Sequence, residues 1–186
     1  MLDLNDVKGL RGMILCALFA ALMAVCSWIT IPYVVPFTMQ TFAVFVALDL
    51  LGWRGTLITV LVYMALGAVG LPVFSGFSGG ISHLIGPTGG YIVGFAAAAA
   101  VYGLVVHIAG ESKKARVLGM VLALVACYAF GTAWFVIVYS AQKGAVSVIS
   151  ALSWCVIPYI LPDLVKMTLA FLLSERVAKS LKNWKA

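Results

Sequence analysis

Six long apolar runs, separated by short polar segments, are the feature of this sequence that most restricts its fold. A helix needs about 20 apolar residues to cross a hydrocarbon core ~30 Å thick. Only 10% of the residues are charged, too few to cover a water-facing surface. These observations predict an all-α membrane protein and exclude a soluble enzyme, a disordered protein and a nucleic-acid binder. A single domain, 1–186, would hold six transmembrane helices near residues 12–31, 37–51, 56–69, 91–109, 117–140 and 145–173.

The positions of the basic residues predict the orientation of these spans. With six spans, ten of the 12 Lys and Arg residues fall on the side that holds both termini and the even-numbered loops. Lys143 alone falls on the opposite side, and Lys166 lies within the last span. Because positive residues are retained on the cytoplasmic side, we expect both termini in the cytoplasm. The ten residues are Lys8, Arg11, Arg54, Lys113, Lys114, Arg116, Arg176, Lys179, Lys182 and Lys185.

Two opposite charges, Asp163 and Lys166, stand inside the last apolar run, three residues apart and therefore on one face of a helix. Each charge deep in a bilayer costs about 2.5–3.5 kcal/mol even on the lenient insertion scale, so such residues indicate a functional site. Pro158 and Pro162 precede the pair and leave backbone carbonyls unpaired, which favours a polar niche. An ion pair that only joins helices is the alternative.

The segment 70–90 holds seven glycines and two prolines without one charged side chain. Long loops are usually functional, and glycines let the backbone approach a ligand. Its many apolar side chains argue against a flexible linker. We therefore expect a folded lid on the extracytoplasmic side, between the third and fourth helices.

The segment 31–41, on the same side, contains Pro32 and Pro36, which favour an extended loop. Thr38 and Gln40 follow at the mouth of the second span and are candidates for ligand binding. An ordinary helix start capped by Thr38 explains the same residues.

Small residues four apart recur on the first span as Ala17/Ala21 and Ala20/Ala24, and on the fourth as Gly90/Gly94/Ala98. Such spacing lets membrane helices pack closely. By pattern alone, internal packing is the preferred interpretation and a docking face for a partner is the alternative.

Residues 76–80 match the G-x-S-x-G pattern of serine hydrolases, and six-helix intramembrane proteases also use a G-x-S-G serine. Such an enzyme needs a histidine on a facing helix, yet His83 is in the same loop as Ser78 and His107 lies at the opposite membrane face. There is no P-loop, and the four cysteines lie in apolar stretches without metal-ligand spacing. We expect no catalytic residue, no metal and no cofactor.

The segments GLPVFSGFSGG and GPTGGYIVGF, with VPFTMQT before them and PDLVK in the last span, resemble the BioY family. BioY proteins are the biotin-specific S components of energy-coupling factor (ECF) transporters. The resemblance covers essentially the whole chain. It implies high-affinity biotin uptake across the plasma membrane of a prokaryote, powered by a separate membrane coupling subunit and two cytoplasmic ATPases, without an enzymatic activity in this chain.

The resemblance also implies site residues. Asp163 would accept from the ureido N–H groups of biotin and Lys166 would donate to the ureido oxygen, although a pairing of Lys166 with the carboxylate is also open. The docking face for the coupling subunit would be Ala17, Ala20, Ala21 and Ala24. A proton-coupled carrier using Asp163 remains an alternative, although the chain shows no internal repeat. Further candidates are Thr38, Gln40, the signature 86–91 with Thr88, Gly89, Gly90 and Tyr91, and the aromatic residues Phe37, Phe74 and Tyr139.

Overall fold

The computed structural model describes residues 9–184, with side chains described as far as residue 180. Two short antiparallel strands, β1 (Thr30–Ile31) and β2 (Phe37–Thr38), form a hairpin around the segment that contains the two prolines. A 3₁₀ turn covers Ser75–Phe77. Everything else that is regular is helical: α1 (Leu10–Trp28), α2 (Gln40–Ala68), α3 (Ile81–Ile85), α4 (Gly89–Ala109), α5 (Lys113–Lys143), α6 (Val148–Cys155) and α7 (Ile157–Trp184).

Helix α2 contains a sharp reversal at Gly52, whose φ of 69° is open mainly to glycine. The amide of Gln40 lies 2.6 Å from the hydroxyl of Tyr63, 23 residues further on. A straight helix would separate these residues by about 35 Å. The two halves, 40–51 and 53–68, are therefore antiparallel, as the sequence predicted for its second and third spans.

The sixth apolar run is not one helix, which corrects the predicted span 145–173. Helix α6 ends at Cys155, and α7 begins two residues later, after a break at Val156. Pro158 explains the break, because it lacks the N–H that would continue the hydrogen-bond ladder of α6. The first span is also shorter than expected: α1 ends at Trp28 because residues 30 and 31 belong to the hairpin.

The tightest helix contact in the core joins α4 and α5. A methyl group added at Gly90 would lie 2.3 Å from the Cβ atom of Trp134, and one at Gly94 would lie 3.2 Å from the sulfur of Cys127. Ala98 is buried further along the same face. The small-residue pattern of the fourth span therefore serves internal packing, because it lets two helix backbones approach each other closely.

The two alanine ladders of α1 do not share one environment. Ala17 and Ala21 are exposed, whereas Ala20 and Ala24 are only 1% and 6% exposed and pack inside the helix bundle. The boundary between the buried and the exposed face of α1 runs between the ladders. This corrects the grouping of four alanines on one docking face, since only Ala17 and Ala21 are available to a partner.

A cluster of charges joins three helices at the end of the bundle where the reversal of α2 lies. The guanidinium of Arg116 donates to both carboxylate oxygens of Asp49 at 2.7 and 2.8 Å, and to Glu175 at 2.8 Å. Lys113 pairs with Glu175 as well. Asp49, an acidic residue inside an apolar run, thus has a charged partner at a helix end.

In the part of the chain that the structure describes, five helical stretches are long and apolar enough to cross a membrane. They are α1, α2 with its reversal, α4, α5, and the stretch Val148–Ser180. Of the basic residues used to predict the orientation, Lys8 and Lys185 lie outside the described residues, as does the side chain of Lys182. The fold is therefore a bundle of apolar helices, as the composition predicted.

Candidate functional site

A cavity lies between α2, α4, α5 and α7, beneath the hairpin and the segment 70–88, here called the lid. Its interior volume, counted as the space open to the centre of a water-sized sphere, is about 70 Å³, several times the roughly 10–15 Å³ that one water molecule needs. One group of lining residues is polar or ionisable and the other is apolar or sulfur-containing. The first comprises Thr38, Gln40, Thr41, Ser75, His83, Thr88, Tyr91, Tyr128, Tyr159, Asp163 and Lys166; the second comprises Val35, Pro36, Ile92, Phe95, Cys127 and Cys155.

Asp163 and Lys166 both line this cavity, on the second and third turns of α7. Their side chains form an ion pair with 2.8 Å between Lys166 Nζ and Asp163 Oδ1. The two residues are only 2% and 5% exposed. The pair is therefore desolvated, so its remaining hydrogen-bonding capacity must be met by protein groups or by a ligand.

Protein groups already use every donor of the ammonium. Lys166 Nζ donates to the carbonyl of Thr38 at 2.7 Å and to the hydroxyl of Thr41 at 3.2 Å, in addition to Asp163. An ammonium has three N–H donors, so none is left over. Its charge also lies 4.0 Å from the centre of the Phe37 ring, a cation–π contact. A ligand that binds Lys166 must replace one of these partners.

The carboxylate keeps acceptor capacity. Asp163 Oδ1 accepts from Lys166 and from the hydroxyl of Thr41 at 2.8 Å, whereas Oδ2 accepts only from the hydroxyl of Tyr128 at 2.6 Å. A carboxylate oxygen has two lone pairs, so Oδ2 has one free. Because Asp163 lines the cavity, a ligand N–H group is the natural donor to that position.

Thr38, Gln40, Thr88 and Tyr91, all predicted from sequence, line the same cavity. The amide oxygen of Gln40 accepts from the hydroxyl of Thr38 at 3.2 Å. Thr88 precedes α4, and its side chain makes no capping hydrogen bond. The Tyr91 hydroxyl lies 3.0 Å from that of Thr132. The structure thus brings the polar residues of three separate segments together with the ion pair.

Gly89 and Gly90 do not line the cavity, which corrects their prediction as ligand contacts. A methyl group at Gly89 would lie 1.8 Å from the carbonyl oxygen of Leu84, and Gly90 packs on Trp134. Both glycines are therefore required by the close packing around the start of α4. The two glycines of the signature reflect this backbone approach, whereas Thr88 and Tyr91 of the same signature line the cavity.

Phe74 and Tyr139 also lie away from the cavity, against expectation. Phe74 is completely buried against Gly67, Tyr63 and His83, so it anchors the lid to α2. Tyr139 stacks on Phe135 at 5.0 Å in a second apolar cluster next to α6. Their aromatic side chains are used for packing, where burial of a large ring contributes most.

Tyr128 and Thr41 are the two ion-pair partners that the sequence analysis missed. Thr41 directly follows Gln40 at the start of α2, so its place beside two predicted polar residues could have indicated it. Tyr128 lies in the middle of an apolar run, where a tyrosine gives no signal. Both hydroxyls donate to Asp163 and hold its carboxylate in a fixed orientation.

The serine of the G-x-S-x-G match does not have the geometry of a nucleophile. Ser78 Oγ lies 3.3 and 3.4 Å from the two ring nitrogens of His83, so it approaches neither along a lone pair. Its proton goes to the carbonyl of Ser75 at 2.7 Å. A general base would have to accept that proton in line. This arrangement is a turn inside the lid.

Hydrogen bonds from α1 and α2 hold the lid over the cavity. The indole of Trp28 donates to the carbonyl of Pro72 at 2.8 Å, and the hydroxyl of Tyr63 donates to the carbonyl of Val73 at 2.9 Å. Trp28 also stacks on Phe77, whose φ of 56° is unusual for a residue with a side chain. The lid is thus a folded, tethered segment.

The fold and the cavity define a class: a multi-pass helical membrane protein with a partly polar cavity between its helices. Comparison with known proteins specifies the family. The BioY family model matches residues 2–183, so the chain belongs to the BioY family.

Similar proteins support this membership over nearly the full length. The chain is 38% identical over 171 residues to the biotin transporter BioY of Thermotoga maritima, covering 91% of this chain and 97% of that protein. It is 39% identical over 164 residues to a probable biotin transporter BioY of Pyrococcus horikoshii, covering 88% and 93%. A crystal structure at 2.1 Å of the S-component for biotin from an ECF-type ABC transporter superposes with a TM-score of 0.79 at 23% identity. That match covers 96% of this chain and 95% of the other, and it establishes a common fold.

Proposed function

We propose that this chain binds biotin and is the substrate-specific S subunit of an ATP-driven ECF transporter. The single observation that carries the proposal is a buried ion pair that lines a partly polar cavity and keeps a free acceptor position on its carboxylate, in a chain whose relatives over most of its length are named biotin transporters or probable biotin transporters. The ureido ring of biotin has N–H donors, and Asp163 Oδ2 has a free acceptor position. The apolar sulfur ring and chain suit the wall that includes Ile92 and Phe95.

In this proposal Asp163 is the main partner of the ureido group of biotin. Thr41 and Tyr128 orient the carboxylate before the ligand arrives, so binding requires little reorganisation. Lys166 neutralises the carboxylate and can contact the ligand only by exchanging Thr38 O or Thr41 for it. The polar groups of Gln40 and Thr88 complete the site.

The proposed topology has six crossings, with both termini on the cytoplasmic side and the lid outside. The reversal at Gly52 supports two crossings within α2. The charges of Arg54, Lys113 and Arg116 lie at the end opposite the lid, in agreement with the retention of basic residues in the cytoplasm. A single domain in the plasma membrane of a prokaryote is part of the same proposal.

The proposed partners are a membrane coupling subunit and two cytoplasmic ATPases. The sequence contains no P-loop, and binding alone cannot accumulate a substrate, so the energy must come from elsewhere. The exposed ladder Ala17/Ala21 on α1 is the proposed contact with the coupling subunit. Small side chains there allow a partner helix to approach closely.

Titration calorimetry of the detergent-purified chain with biotin, lipoate and thiamine tests the proposed function. We expect saturable binding of biotin and none of the other two at the same concentration. Asp163→Asn should weaken biotin binding strongly, whereas Ser82→Ala, on the exposed side of the lid, should not. Equal binding of all three vitamins, or of none, would refute the proposal.

A further inference from the structure

His83 is an ionisable group of the cavity that the proposed function does not yet use. It lies in the short lid helix α3 and is part of the cavity lining. Its ring stacks on the buried ring of Phe74, with 5.4 Å between centres and 19° between planes. The imidazole is therefore held in place on the lid side of the cavity.

The charges in the cavity are balanced without His83. Asp163 and Lys166 neutralise each other, and all three N–H groups of Lys166 are engaged by protein acceptors. Among the described residues that line the cavity, His83 is the remaining side chain that can become a cation. A ligand carboxylate that enters a desolvated cavity needs such a partner, because an unpaired buried charge costs several kcal/mol.

The imidazole and the ion pair line the cavity from different elements, the lid helix α3 and the transmembrane helix α7. The ion pair contacts the segment before α2 and its first turn, through the carbonyl of Thr38 and the hydroxyl of Thr41. His83 is instead fixed by its stacking on Phe74. This arrangement suits an elongated ligand with a polar ring at one end and a carboxylate at the other.

We propose that His83, in its protonated form, binds the carboxylate of the ligand from the lid and thereby selects anionic over neutral ligands. The hydroxyls of Ser75 and Thr88 line the same cavity and supply neutral donors. The inference rests on the proposed function, since it assigns the carboxylate end of biotin to the lid. The same assignment places Lys166 near the ureido end of biotin.

Proton linkage follows from this role. Burial lowers the pKa of the His83 imidazole below its ordinary value, so the ring is neutral near pH 7 when the cavity is empty. A bound carboxylate favours the charged ring and raises that pKa, so binding takes up a proton. Affinity for an anionic ligand therefore rises as the pH falls toward the pKa of the empty site, and it levels off below that pKa.

Other ionisable groups face the same cavity and are shared by any ligand. They are Tyr63 behind Phe74 on α2, Tyr91 on α4, Cys127 and Tyr128 on α5, Cys155 on α6, and Tyr159, Asp163 and Lys166 on α7. A neutral analogue of biotin senses these groups but lacks the carboxylate. The ratio of the two affinities therefore isolates the contribution of His83.

The test compares biotin with biotinamide, its neutral amide, by calorimetry from pH 5.5 to 8.5. For the unsubstituted chain we expect the affinity ratio of biotin to biotinamide to rise about tenfold or more toward the acidic end. His83→Phe keeps the stacking on Phe74 and removes both ring nitrogens. It should abolish the pH dependence of the ratio and lower the affinity for biotin more than the affinity for biotinamide. Ser82→Ala on the exposed side of α3 is the matched control.

Three results overturn the inference. They are a pH-independent ratio in the unsubstituted chain, an unchanged ratio in His83→Phe, or an equal loss of both affinities in that variant. The last result would mean that His83 only shapes the lid. If the unsubstituted chain binds neither compound, the proposed function itself fails, and this outcome is distinct from the other three.

Discussion

Neutralising the ion pair of α7 one member at a time, and then together, separates its role in stability from its role in binding. Asp163→Asn leaves a buried ammonium with two neutral acceptors, the carbonyl of Thr38 and the hydroxyl of Thr41. Lys166→Met leaves a buried carboxylate with two hydroxyl donors, from Thr41 and Tyr128. The double variant leaves no charge.

The expected magnitudes follow from these partners. Removing one member of a buried pair costs about 3–5 kcal/mol. The hydrogen bonds that remain place both single variants near ~3 kcal/mol, because each unpaired charge keeps two neutral hydrogen-bond partners. A loss of ~3 kcal/mol corresponds to a fall of roughly 6–12 °C in Tm for a chain of this size. The double variant should regain most of this loss, since it buries no unpaired charge.

Biotin affinity, unlike thermal stability, should not recover in the double variant. The double variant replaces the carboxylate by a neutral amide, and a charge-assisted hydrogen bond is worth about 1.5–3 kcal/mol where a neutral one is worth about 1 kcal/mol. The weakened bond at the free position of residue 163 corresponds to a loss of affinity of roughly tenfold. We expect tryptophan-fluorescence thermal unfolding to recover in the double variant while calorimetric biotin binding does not. A stable double variant with unchanged biotin affinity would refute the binding role and would mean that the ion pair only stabilises the packing of the helices.

Three other predictions concern different parts of the molecule. Ala21→Trp on the exposed face of α1 should abolish biotin uptake by vesicles that contain the coupling subunit and the ATPases, and it should leave biotin affinity unchanged. Ala20→Trp, whose side chain lies in the core, should instead lower Tm. Gly90→Ala should lower Tm by several degrees, because overpacking a tight contact costs about 1–3 kcal/mol; an unchanged Tm would contradict the close α4–α5 approach. Asp49→Asn should lower Tm without changing biotin affinity, since it removes the charge of the buried carboxylate that accepts two hydrogen bonds from Arg116 and leaves Glu175 as the charged partner of that guanidinium; an altered affinity would show that the two ends are coupled.

Residues that break an apolar pattern were the ones that sequence reasoning could find. Asp163 and Lys166 stand out because a charge in an apolar run has a large and visible cost. Tyr128 makes the 2.6 Å hydrogen bond to the same carboxylate, yet a tyrosine among apolar residues has no such cost. Its role depends on the register between α5 and α7, which arises only from tertiary packing.

Several aromatic and glycine residues were predicted to contact the ligand, whereas the structure uses them for packing. Phe74 and Tyr139 were predicted as ligand contacts, and both are used for packing away from the cavity. The direction of a large ring is decided by where it can be buried, which a sequence does not specify. Gly89 and Gly90 were identified in the right segment, but the approach of Leu84 and Trp134 explains them.

Breaks in helices were predictable where glycine marks a turn and less so where proline stands near a helix start. The reversal at Gly52 agrees with the gap between the predicted spans 37–51 and 56–69. The break at Val156 was missed because Pro158 was interpreted as part of a polar niche inside one long helix. Proline is compatible with the first turn of a helix, so the same residue both ends α6 and permits α7 to begin.

The two sides of the cavity differ in how they are held, and this difference bears on how a ligand is captured. The ion pair, Thr41 and Tyr128 satisfy one another before any ligand arrives, so that side is preorganised and recognition there requires little ordering. The lid makes no ion pair among the described residues and is tethered by hydrogen bonds such as those from Trp28 and Tyr63. Segments with few strong contacts are the ones that open locally. The part of the affinity that neutral and anionic ligands share should therefore be determined mainly at α7, and the rates of entry and release mainly at the lid.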